Sequence, residues 1–389
     1  MKDNIDVIVI GGNHHNTLGV VRSLGYEGIS PILILVAGDD ECTYVAHSRY
    51  LKKTIRIATD AEIVNVLLGL STHASHKMIV IACSDAASSV IDLNRDILQS
   101  SFWLPGCEEQ GLVTKMMDKD KLTNYGRSIG FNVPRSWVVN HVEDIQGITY
   151  PCITKPILSK DGHKSDIIIC HSKEELVKAL EDGSCYKYQV QEFIEKDFEY
   201  QLIGLSLNGG EIIIIPGISR CIRPCPGTNT GFLKYQEINT LSVPLDKCKD
   251  FISNLRFSGL FSIEFIRDKH GVDFFLEMNF RNDGNAICVT KSGFNLPYLW
   301  YLYCIGGDYK VFLSSCKFKP IYVMPELNDL YFVKSHEISL QQWLRDIKRT
   351  DAFMEYDSSD KLPFLLAVKS MILNAIKRRF FGFGRGVKA

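Results

Sequence analysis

Short apolar runs alternate with helical patterns in the N-terminal quarter of the chain. The runs that predict buried strands lie at residues 6–10, 31–36 and 77–82. Residues 16–24 have the period of a helix, which Gly25 ends. Strands that alternate with helices are typical of a parallel α/β sheet, whose strand ends can hold a ligand. The turn at Gly11-Gly12 does not continue as G-x-G-x-x-G, so the dinucleotide-binding fingerprint is missing.

The rest of the chain has a different pattern, in which extended segments dominate. A polar helix is predicted at 118–129. Extended segments are predicted at 137–139, 153–156, 167–169 and 188–193, and a helix at 173–180. Two hairpins follow at 200–216 and 259–281, the first with the turn Asn208-Gly209-Gly210. Beyond Pro320, helical patterns occur only near 340–348 and 363–379. These patterns predict a chain of mixed α/β and α+β class.

The composition is that of a folded globular protein. Of 389 residues, 46% are hydrophobic and 23% are charged, and at about 150 residues per domain this length predicts two or three domains. Lys and Arg number 44 against 45 Asp and Glu, which gives a net charge of −1. Because a near-neutral chain lacks the basic field of nucleic-acid-binding proteins, we expect no nucleic-acid partner.

Cysteine usage and apolar run lengths indicate a cytoplasmic protein. Twelve cysteines are scattered along the chain without a C-x-x-C pair, which favours reduced thiols over a disulfide framework or a zinc site. No apolar run reaches the length of a signal-peptide core or the ~20 residues that cross a bilayer.

The second hairpin is the most informative stretch. If His270-Gly271 forms a two-residue loop, Glu264 lies directly opposite Glu277 with both side chains on one face. Asn279 and Arg281 share that face because strand side chains alternate. The opposite face is predicted to be the core face, formed by Phe261, Ile263, Phe265, Phe274, Leu276 and Met278.

The polar face of this hairpin has the chemistry of a metal and phosphate site. Two adjacent carboxylates repel each other unless a proton or a cation intervenes. Glu264, Glu277 and the amide oxygen of Asn279 form an all-oxygen set that suits Mg²⁺ or Mn²⁺, and the planar fork of Arg281 suits a phosphoryl group. The alternative is a solvated polar face on an ordinary hairpin, because motifs this short recur freely.

Five segments together resemble the ATP-grasp superfamily, and they occur in that family's order. Glu277-Met-Asn-Phe-Arg281 resembles its E-x-N-x-R strand, and Glu264 stands where its first metal carboxylate falls. The other matching segments are Met117-Asp-Lys119 with Gly130-Phe-Asn-Val-Pro134, Thr154-Lys155-Pro156, Gln191-Glu-Phe-Ile194 and Glu199. The resemblance covers roughly residues 110–300. It implies that ATP and a divalent cation are bound.

The N-terminal segments narrow the resemblance. Those that are similar to the carboxylate–amine ligase branch are Gly11-Gly12, Val20–Gly25, Ser48–Tyr50 and Asp92–Asp96. That branch includes D-aspartate ligases and relatives associated with cell-wall or surface-polysaccharide assembly. The implied architecture is a Rossmann-like pre-ATP-grasp domain, two ATP-grasp subdomains and a C-terminal extension. Their expected ranges are 1–108, 109–190, 191–310 and 311–389.

The resemblance implies a role for each matched residue. Lys119 and Lys155 would be cations on the α- and β-phosphates, and with Arg281 they would be the catalytic residues; the alternative is two ordinary surface lysines. Glu199 would accept hydrogen bonds from the ribose hydroxyls. The adenine would lie against Ile153 and Ile194, and the remaining nucleotide contacts would come from Gln191, Glu192, Phe193 and Ser159. Ser159 begins a small-residue loop that could cover the triphosphate. This loop departs from the family's usual pattern because it contains a single Gly.

Four residues are candidates for contacts with the substrates. His14 follows the first strand, where open α/β sheets bind ligands, and adjacent side chains diverge, so we expect only one of His14 and His15 to reach a ligand. Asn282 comes directly after the metal strand. Arg220 and Arg223 follow a strand and could bind a carboxylate through two hydrogen bonds, the alternative being a solvent-facing loop.

The function that these patterns predict is ATP-dependent carboxylate–amine ligation. ATP would phosphorylate a carboxylate, and an amine would displace phosphate to form an amide. The partners would be small-molecule or cell-envelope precursor acids and amines, and a homodimer is compatible with this interpretation. Two alternatives stay open: other ATP-grasp chemistry, such as carbamoyl phosphate formation or ligation to a thiol, and a non-catalytic ATP-binding module. The sequence shows no glutamine-amidotransferase segment, which weakens the alternative of carbamoyl phosphate formation.

The C-terminal segment has a charge pattern of its own. Residues 362–389 contain six Lys and Arg but no Asp or Glu, and phenylalanines adjoin Lys377-Arg378-Arg379. Basic residues interleaved with aromatic ones can hold a helix at the inner face of a membrane. The alternative is a helix packed on the ATP-grasp domain, which Leu366 and Leu373 favour because they interrupt its polar face.

Overall fold

Three β-sheets succeed one another in the computed structural model, which describes residues 5–38, 43–72, 74–156, 167–182, 187–225 and 230–381. The first sheet is parallel, and the two that follow are antiparallel except for one pair of edge strands. The mixed α/β and α+β class predicted from the sequence is confirmed.

The first sheet contains strands β1 (Val7–Gly12), β2 (Ile32–Val36), β3 (Lys53–Ile57), β4 (Met78–Ala82) and β5 (Phe102–Trp103). The helices of this region are α1 (His15–Tyr26), α2 (Ile63–Ser71), α3 (Asp85–Leu93), α4 (Arg95–Leu98) and α5 (Leu112–Met116). The strand order is β3-β2-β1-β4-β5. Because helices pack on both faces of a parallel sheet, β1 is buried on both sides, which explains its continuous apolar run.

The sequence pattern does not predict β3. Lys53, Thr54 and Arg56 are exposed on this edge strand, and only Ile57 is fully buried. An edge strand buries one side and leaves the other polar, so its apolar residues are too few to stand out. Strand β3 therefore adds a pairing beside β2 that the sequence does not indicate, and the two-residue strand β5 adds another beside β4.

The second sheet contains β6 (Ser136–Val139), β7 (Cys152–Pro156), β8 (Ile169–Cys170) and β9 (Tyr188–Glu192), with α6 (Lys119–Ser128) and α7 (Lys173–Asp182) beside it. Its order is β6-β9-β7-β8. The strand predicted at 167–169 begins only at Ile169. The apolar run there is not a core strand, since Ile167 and Ile169 are 44% and 43% exposed.

The third sheet contains β10 (Lys196–Leu207), β11 (Ile212–Ile214), β12 (Gly217–Pro224), β13 (Gly231–Glu237), β14 (Gly259–Asp268), β15 (Asp273–Asn279), β16 (Ile321–Met324) and β17 (Ala352–Phe353). Its order is β15-β14-β10-β12-β13-β16-β17, with β11 paired to β10. Strands β16 and β17 lie beyond residue 310, so the segment that the sequence sets apart as an extension takes part in this sheet.

Seven helices belong to the part of the third region that the structure describes: α8 (Leu245–Asn254), α9 (Ile287–Lys291), α10 (Leu296–Cys304), α11 (Tyr309–Ser315), α12 (Glu326–Lys334), α13 (Leu340–Arg349) and α14 (Lys361–Phe381). The last two confirm the helical patterns predicted near 340–348 and 363–379. No described helix is both long and apolar enough to cross a membrane.

The first and third sheets meet through buried hydrogen bonds. The Asn282 backbone N–H donates to the carbonyl of Ala82 at the end of β4, over 3.1 Å. The Asn16 side chain donates to the Asn282 carbonyl over 2.9 Å. Further along α1, the buried Arg22 forms an ion pair of 3.1 Å with Asp360. These contacts hold the strand ends of the first sheet against the residues that follow β15.

Candidate active site

A cavity of about 820 Å³ lies where the three sheets meet, and we call it the cleft. Most of the predicted site residues that the structure describes line it. They are Lys119, Lys155, Gln191, Glu192, Phe193, Ile194, Glu199, Glu264, Glu277, Asn279, Arg281 and His14, together with Ile153. Ser159 and the loop that follows it fall outside the described residues, so their predicted lid function stays a prediction.

The hairpin β14–β15 brings the two predicted carboxylates together, but its loop is longer than predicted and its register contains a β-bulge. Glu264 pairs directly with Glu277, as predicted. The loop is longer than two residues, since the last strand pair is Arg267 with Asp273. The Asp268 carboxylate stabilises the loop by accepting from the N–H of Val272 over 2.8 Å. A β-bulge beside Glu264 then restores the expected register.

The bulge changes which aromatic side chain enters the core. Phe275 is 1% exposed and packs with Phe265 and Met278, whereas Phe274 is only half-buried. Leu276 lines the cleft beside Glu277 instead of the core. The predicted core positions of Phe274 and Leu276 were therefore wrong, because one extra residue on β15 shifts their faces.

A hydrogen-bond network fixes the Glu264 carboxylate, which is 4% exposed. Its Oε1 accepts from the Gln201 Nε2 over 2.9 Å and from the Asn279 Nδ2 over 3.1 Å. Asn285 donates in turn to Gln201 over 2.7 Å. Gln201 was not predicted as a site residue, although it stands two residues after Glu199 and so points to the same face of β10.

The carboxylate pair fits a Mg²⁺ ion shared with phosphate oxygens. The described residues contain no cluster of three His, Cys, Asp or Glu side chains placed to hold a metal. Mg²⁺, however, is commonly bound by one or two carboxylates plus substrate phosphates, which Glu264 and Glu277 can provide. The Oδ1 of Asn279 accepts from Arg281 over 3.0 Å. Asn279 therefore orients both neighbours here, and its role as a third ligand stays a prediction.

Arg281 is held by a carboxylate that was not predicted from the sequence. Its Nε donates to the Oδ1 of Asp85 over 2.8 Å, and its Nη2 donates to the Oδ2 over 3.3 Å. Burial by itself would lower the pKa of Arg281, but the charge and hydrogen bonds of Asp85 raise it above its ordinary value. Asp85 begins α3 in the first sheet region, so a residue from the N-terminal part orients the predicted phosphoryl-binding group.

Two lysines form the cationic end of the cleft. Lys155 on β7 donates from Nζ to the Oε1 of Gln191 over 2.8 Å. Lys119 opens α6, whose first turn is capped by Asp118 through the N–H groups of Asp120 and Lys121. Burial lowers the pKa of Lys155 to about 8, and the charge of Lys119 adds to that effect. Two neighbouring cations with restricted hydration favour an anion between them.

We expect nucleotide binding to weaken as pH rises through this pKa. Lys155 titrates near 8, and only its protonated form attracts phosphate, so the affinity for ATP should fall about tenfold between pH 7 and pH 9. Calorimetric titration of the protein with ATP over that range measures the effect. Lys155→Arg, which stays charged, should flatten the profile. An equal fall in both proteins would contradict the assignment of the titration to Lys155.

The predicted adenine end is lined by apolar side chains around Phe193 and Ile194. The backbone N–H of Glu192 already donates to the Arg135 carbonyl over 2.8 Å, and that of Phe193 to the Pro151 carbonyl over 3.1 Å. The backbone N–H groups of two predicted nucleotide contacts are thus used within the protein. Glu199 faces the cleft, where its carboxylate forms an ion pair of 2.6 Å with Lys196.

The rings of the two adjacent histidines lie against each other, with their centroids 3.8 Å apart, so the expected divergence of the side chains was wrong. His14 lines the cleft and caps α1 by accepting from the N–H of Asn16 over 3.2 Å. His15 is 3% exposed, and its Nδ1 lies 3.3 Å from the Oε1 of Glu355. Burial lowers the pKa of His15 to about 4, which the charge of Asp283 opposes. His14 remains a candidate substrate contact, and His15 is a buried link to the C-terminal region.

Arg223 does not line the cleft. Its Nη2 donates to Asp329 over 2.7 Å and its Nη1 to Asp346 over 2.9 Å. Both carboxylates are almost fully buried and belong to helices α12 and α13. The predicted substrate contact is therefore replaced by a structural ion-pair cluster, because the guanidinium already has two carboxylate partners.

The other two substrate candidates also lie outside the cleft lining. Arg220 pairs with Tyr200, a core residue, so it points to the face of the sheet opposite Gln201. It is exposed and stacks on Phe198, with 4.0 Å from the guanidinium carbon to the ring centroid. Asn282 uses its side chain to donate to Asn16. Neither position supports the predicted contact with a substrate.

Part of this chain is similar in sequence to a known protein. No protein-family model matches the chain. A segment of 152 residues is 27% identical to formate-dependent phosphoribosylglycinamide formyltransferase from Wolinella succinogenes. The segment covers 37% of this chain and 38% of that protein, so the match spans little more than a third of the relative's length.

Solved structures are similar over most of the chain. L-amino acid ligase from Bacillus licheniformis has a TM-score of 0.64 at 14% identity, covering 82% of this chain and 79% of its own. N5-carboxyaminoimidazole synthetase from Staphylococcus aureus has a TM-score of 0.65 at 15% identity, covering 86% and 87%. The biotin carboxylase domain of 2-oxoglutarate carboxylase from Hydrogenobacter thermophilus, solved with MgADP and bicarbonate, has a TM-score of 0.62 at 16% identity, covering 82% and 74%. The chain has the ATP-grasp fold, which confirms the fold that the sequence resemblance implies.

Proposed function

We propose that this protein is an ATP-dependent carboxylate–amine ligase that uses Mg²⁺ and forms an amide through an acyl phosphate. One observation carries the proposal: a single cleft joins two lysines, an opposed carboxylate pair and an oriented arginine. Lys119 and Lys155 suit the phosphates of ATP, Glu264 and Glu277 suit a divalent cation, and Arg281 suits the transferred phosphoryl group.

The reaction needs positioning and charge stabilisation rather than a protein nucleophile. A carboxylate oxygen of the acid attacks the γ-phosphorus, the bond to the β-phosphate oxygen breaks, and ADP leaves. The amine nitrogen then attacks the acyl carbon, the bond to the phosphate oxygen breaks, and phosphate leaves with the electron pair while the nitrogen loses a proton. A Mg²⁺ ion at Glu264 and Glu277 would neutralise the phosphate charge.

The charges at the far end of the cleft support an amine as the second substrate. Asp85 and Asp283 line this end beside His14 and Arg281. Their carboxylates attract an ammonium group, and Asp85 partly neutralises Arg281. Ligation of amino acids by the fold neighbour from Bacillus licheniformis, as its name states, is compatible with this assignment. Cell-envelope precursors as substrates and a cytoplasmic location stay predictions.

Trapping of the acyl phosphate tests the proposal. With ATP, Mg²⁺ and the correct acid, hydroxylamine should yield a hydroxamate, because it replaces the amine as nucleophile. The acid is found by measuring ADP release over a matrix of amino acids, uronic acids and peptide acceptors. Turnover of an acid–amine pair without hydroxamate formation, and without acid-dependent exchange between ADP and ATP, would contradict the acyl-phosphate route.

A further inference from the structure

Helix α14 presents a stripe of apolar side chains to solvent. Its first half packs against the short helix Tyr44–His47, with Ala367 buried. On the opposite side, five large apolar residues are between 46% and 58% exposed: Leu362, Leu365, Ile372, Leu373 and Ile376. Projected down the helix axis, they fall within an arc of about 100°, the width of the face by which helices usually pack. We call these five residues the α14 stripe.

The stripe has no cover in the part of the chain that the structure describes. From Ile372 to Ile376 every residue is exposed, so the helix extends beyond the body of the protein. A contiguous exposed apolar surface of this kind marks a contact with another molecule or with a membrane. The stripe also includes Leu373, which the sequence pattern assigned to a packing face but which is 46% exposed, whereas Leu366 is half-buried.

Charge identifies the kind of surface that the stripe fits. Residues 361–389 contain no Asp or Glu and seven basic residues: Lys361, Lys369, Lys377, Arg378, Arg379, Arg385 and Lys388. Lys369 lies within the arc of the stripe, so two copies of α14 facing each other would bring like charges together. At a lipid surface, in contrast, the long lysine side chain can bury its stem and keep its ammonium group among the headgroups.

We propose that α14 anchors this protein to an anionic lipid bilayer, lying along its surface with the stripe among the acyl chains and the basic residues at the lipid phosphates. Interfacial helices combine an apolar face with basic residues in this way. Because no described helix can span a bilayer, the contact is peripheral. The proposal rests on α14 alone and does not depend on the ligase assignment.

Sedimentation of the full chain with vesicles tests the anchor. One set of vesicles is pure phosphatidylcholine, and the other contains 30 mol% phosphatidylglycerol. We expect binding to the anionic vesicles at 50 mM NaCl, weaker binding at 500 mM NaCl because salt screens the charges, and little binding to the neutral vesicles.

Two variants separate the apolar and the basic contributions. Ile372→Ser with Ile376→Ser removes exposed apolar surface, and Lys377→Glu with Arg378→Glu and Arg379→Glu reverses the basic cluster. Each should weaken binding to anionic vesicles by at least about tenfold. Val311→Ser, at a site on α11 that is 62% exposed, is the matched control and should bind like the unchanged protein. Thermal unfolding checks that all variants are folded.

Three outcomes would overturn the anchor. The first is negligible binding to anionic vesicles at 50 mM NaCl. The second is binding that neither variant weakens relative to Val311→Ser. The third is a dimer in light scattering that the Ile372→Ser, Ile376→Ser protein loses while no vesicle binding occurs, which would make the stripe a contact between two copies.

Discussion

Replacing Glu277 by Gln is expected to lower kcat by at least about 100-fold, the scale on which lost electrostatic stabilisers act. The change keeps the shape of the side chain but removes one of the two charges that β14 and β15 place opposite each other. Glu264 is the partner that hydrogen bonds already fix, so Glu277 supplies the second charge that a divalent cation requires. ATP should still dock, because Lys119 and Lys155 are unchanged.

Steady-state kinetics at several Mg²⁺ concentrations, together with ATP titration, measure the effect. A higher Mg²⁺ requirement with a nearly unchanged Kd for ATP would support the assignment. Glu181→Gln, an exposed change on α7 outside the cleft, is the matched control and should leave kcat unaltered. An unaltered kcat in Glu277→Gln would exclude Glu277 as a metal ligand.

Removing Arg223 is expected to lower the free energy of unfolding by about 3–5 kcal/mol, the cost of leaving buried charges without their partner. Asp329 and Asp346 have side-chain exposures of 0% and 2%, and both accept from this guanidinium. Arg223→Ala would leave the buried Asp329 carboxylate without this partner beside the aromatic ring of Phe232, against which Arg223 also packs, while Asp346 would keep its ion pair with Arg349.

Urea-induced unfolding measures this loss, and Arg220→Ala supplies the comparison within the same strand. Arg220 is exposed and stacks on Phe198, so its removal should cost about 1 kcal/mol or less. The KM values of folded Arg223→Ala should stay unchanged, since the side chain lies outside the cleft lining. An Arg223→Ala protein of ordinary stability with a strongly raised KM would restore the substrate role that the sequence predicts.

Local pattern was sufficient to predict the elements that are buried or strongly periodic. The apolar run of β1, the helix α6 and the hairpins β10–β11 and β14–β15 all lie where the sequence places them. The opposition of Glu264 and Glu277 was also predicted correctly, because the register shift caused by the longer loop is reversed by the bulge. Over so short a strand, the alternation of apolar and polar residues does not reveal a bulge, so the faces predicted for Phe274 and Leu276 were wrong.

Contacts between distant segments could not be predicted in the same way. Asp85 meets Arg281 across 196 positions, and Arg223 meets Asp329 across 106. Nothing in the local pattern distinguishes an arginine that faces a ligand from one that faces a buried carboxylate, because both are single charges at the end of a strand. Whether such an arginine contacts a ligand or a buried carboxylate depends on how the sheets pack.

The sequence by itself determined the buried strands and the strongly periodic helices, the ATP-grasp fold and most of the predicted residues that line the cleft, because these follow from periodicity and from short motifs carried on single strands. Only the tertiary structure decided that Asp85 orients Arg281, that Arg223 belongs to a buried ion-pair cluster and that the apolar stripe of α14 faces water. Each of these depends on the burial of charge or apolar surface between segments far apart in the chain, and burial is a property of packing rather than of pattern.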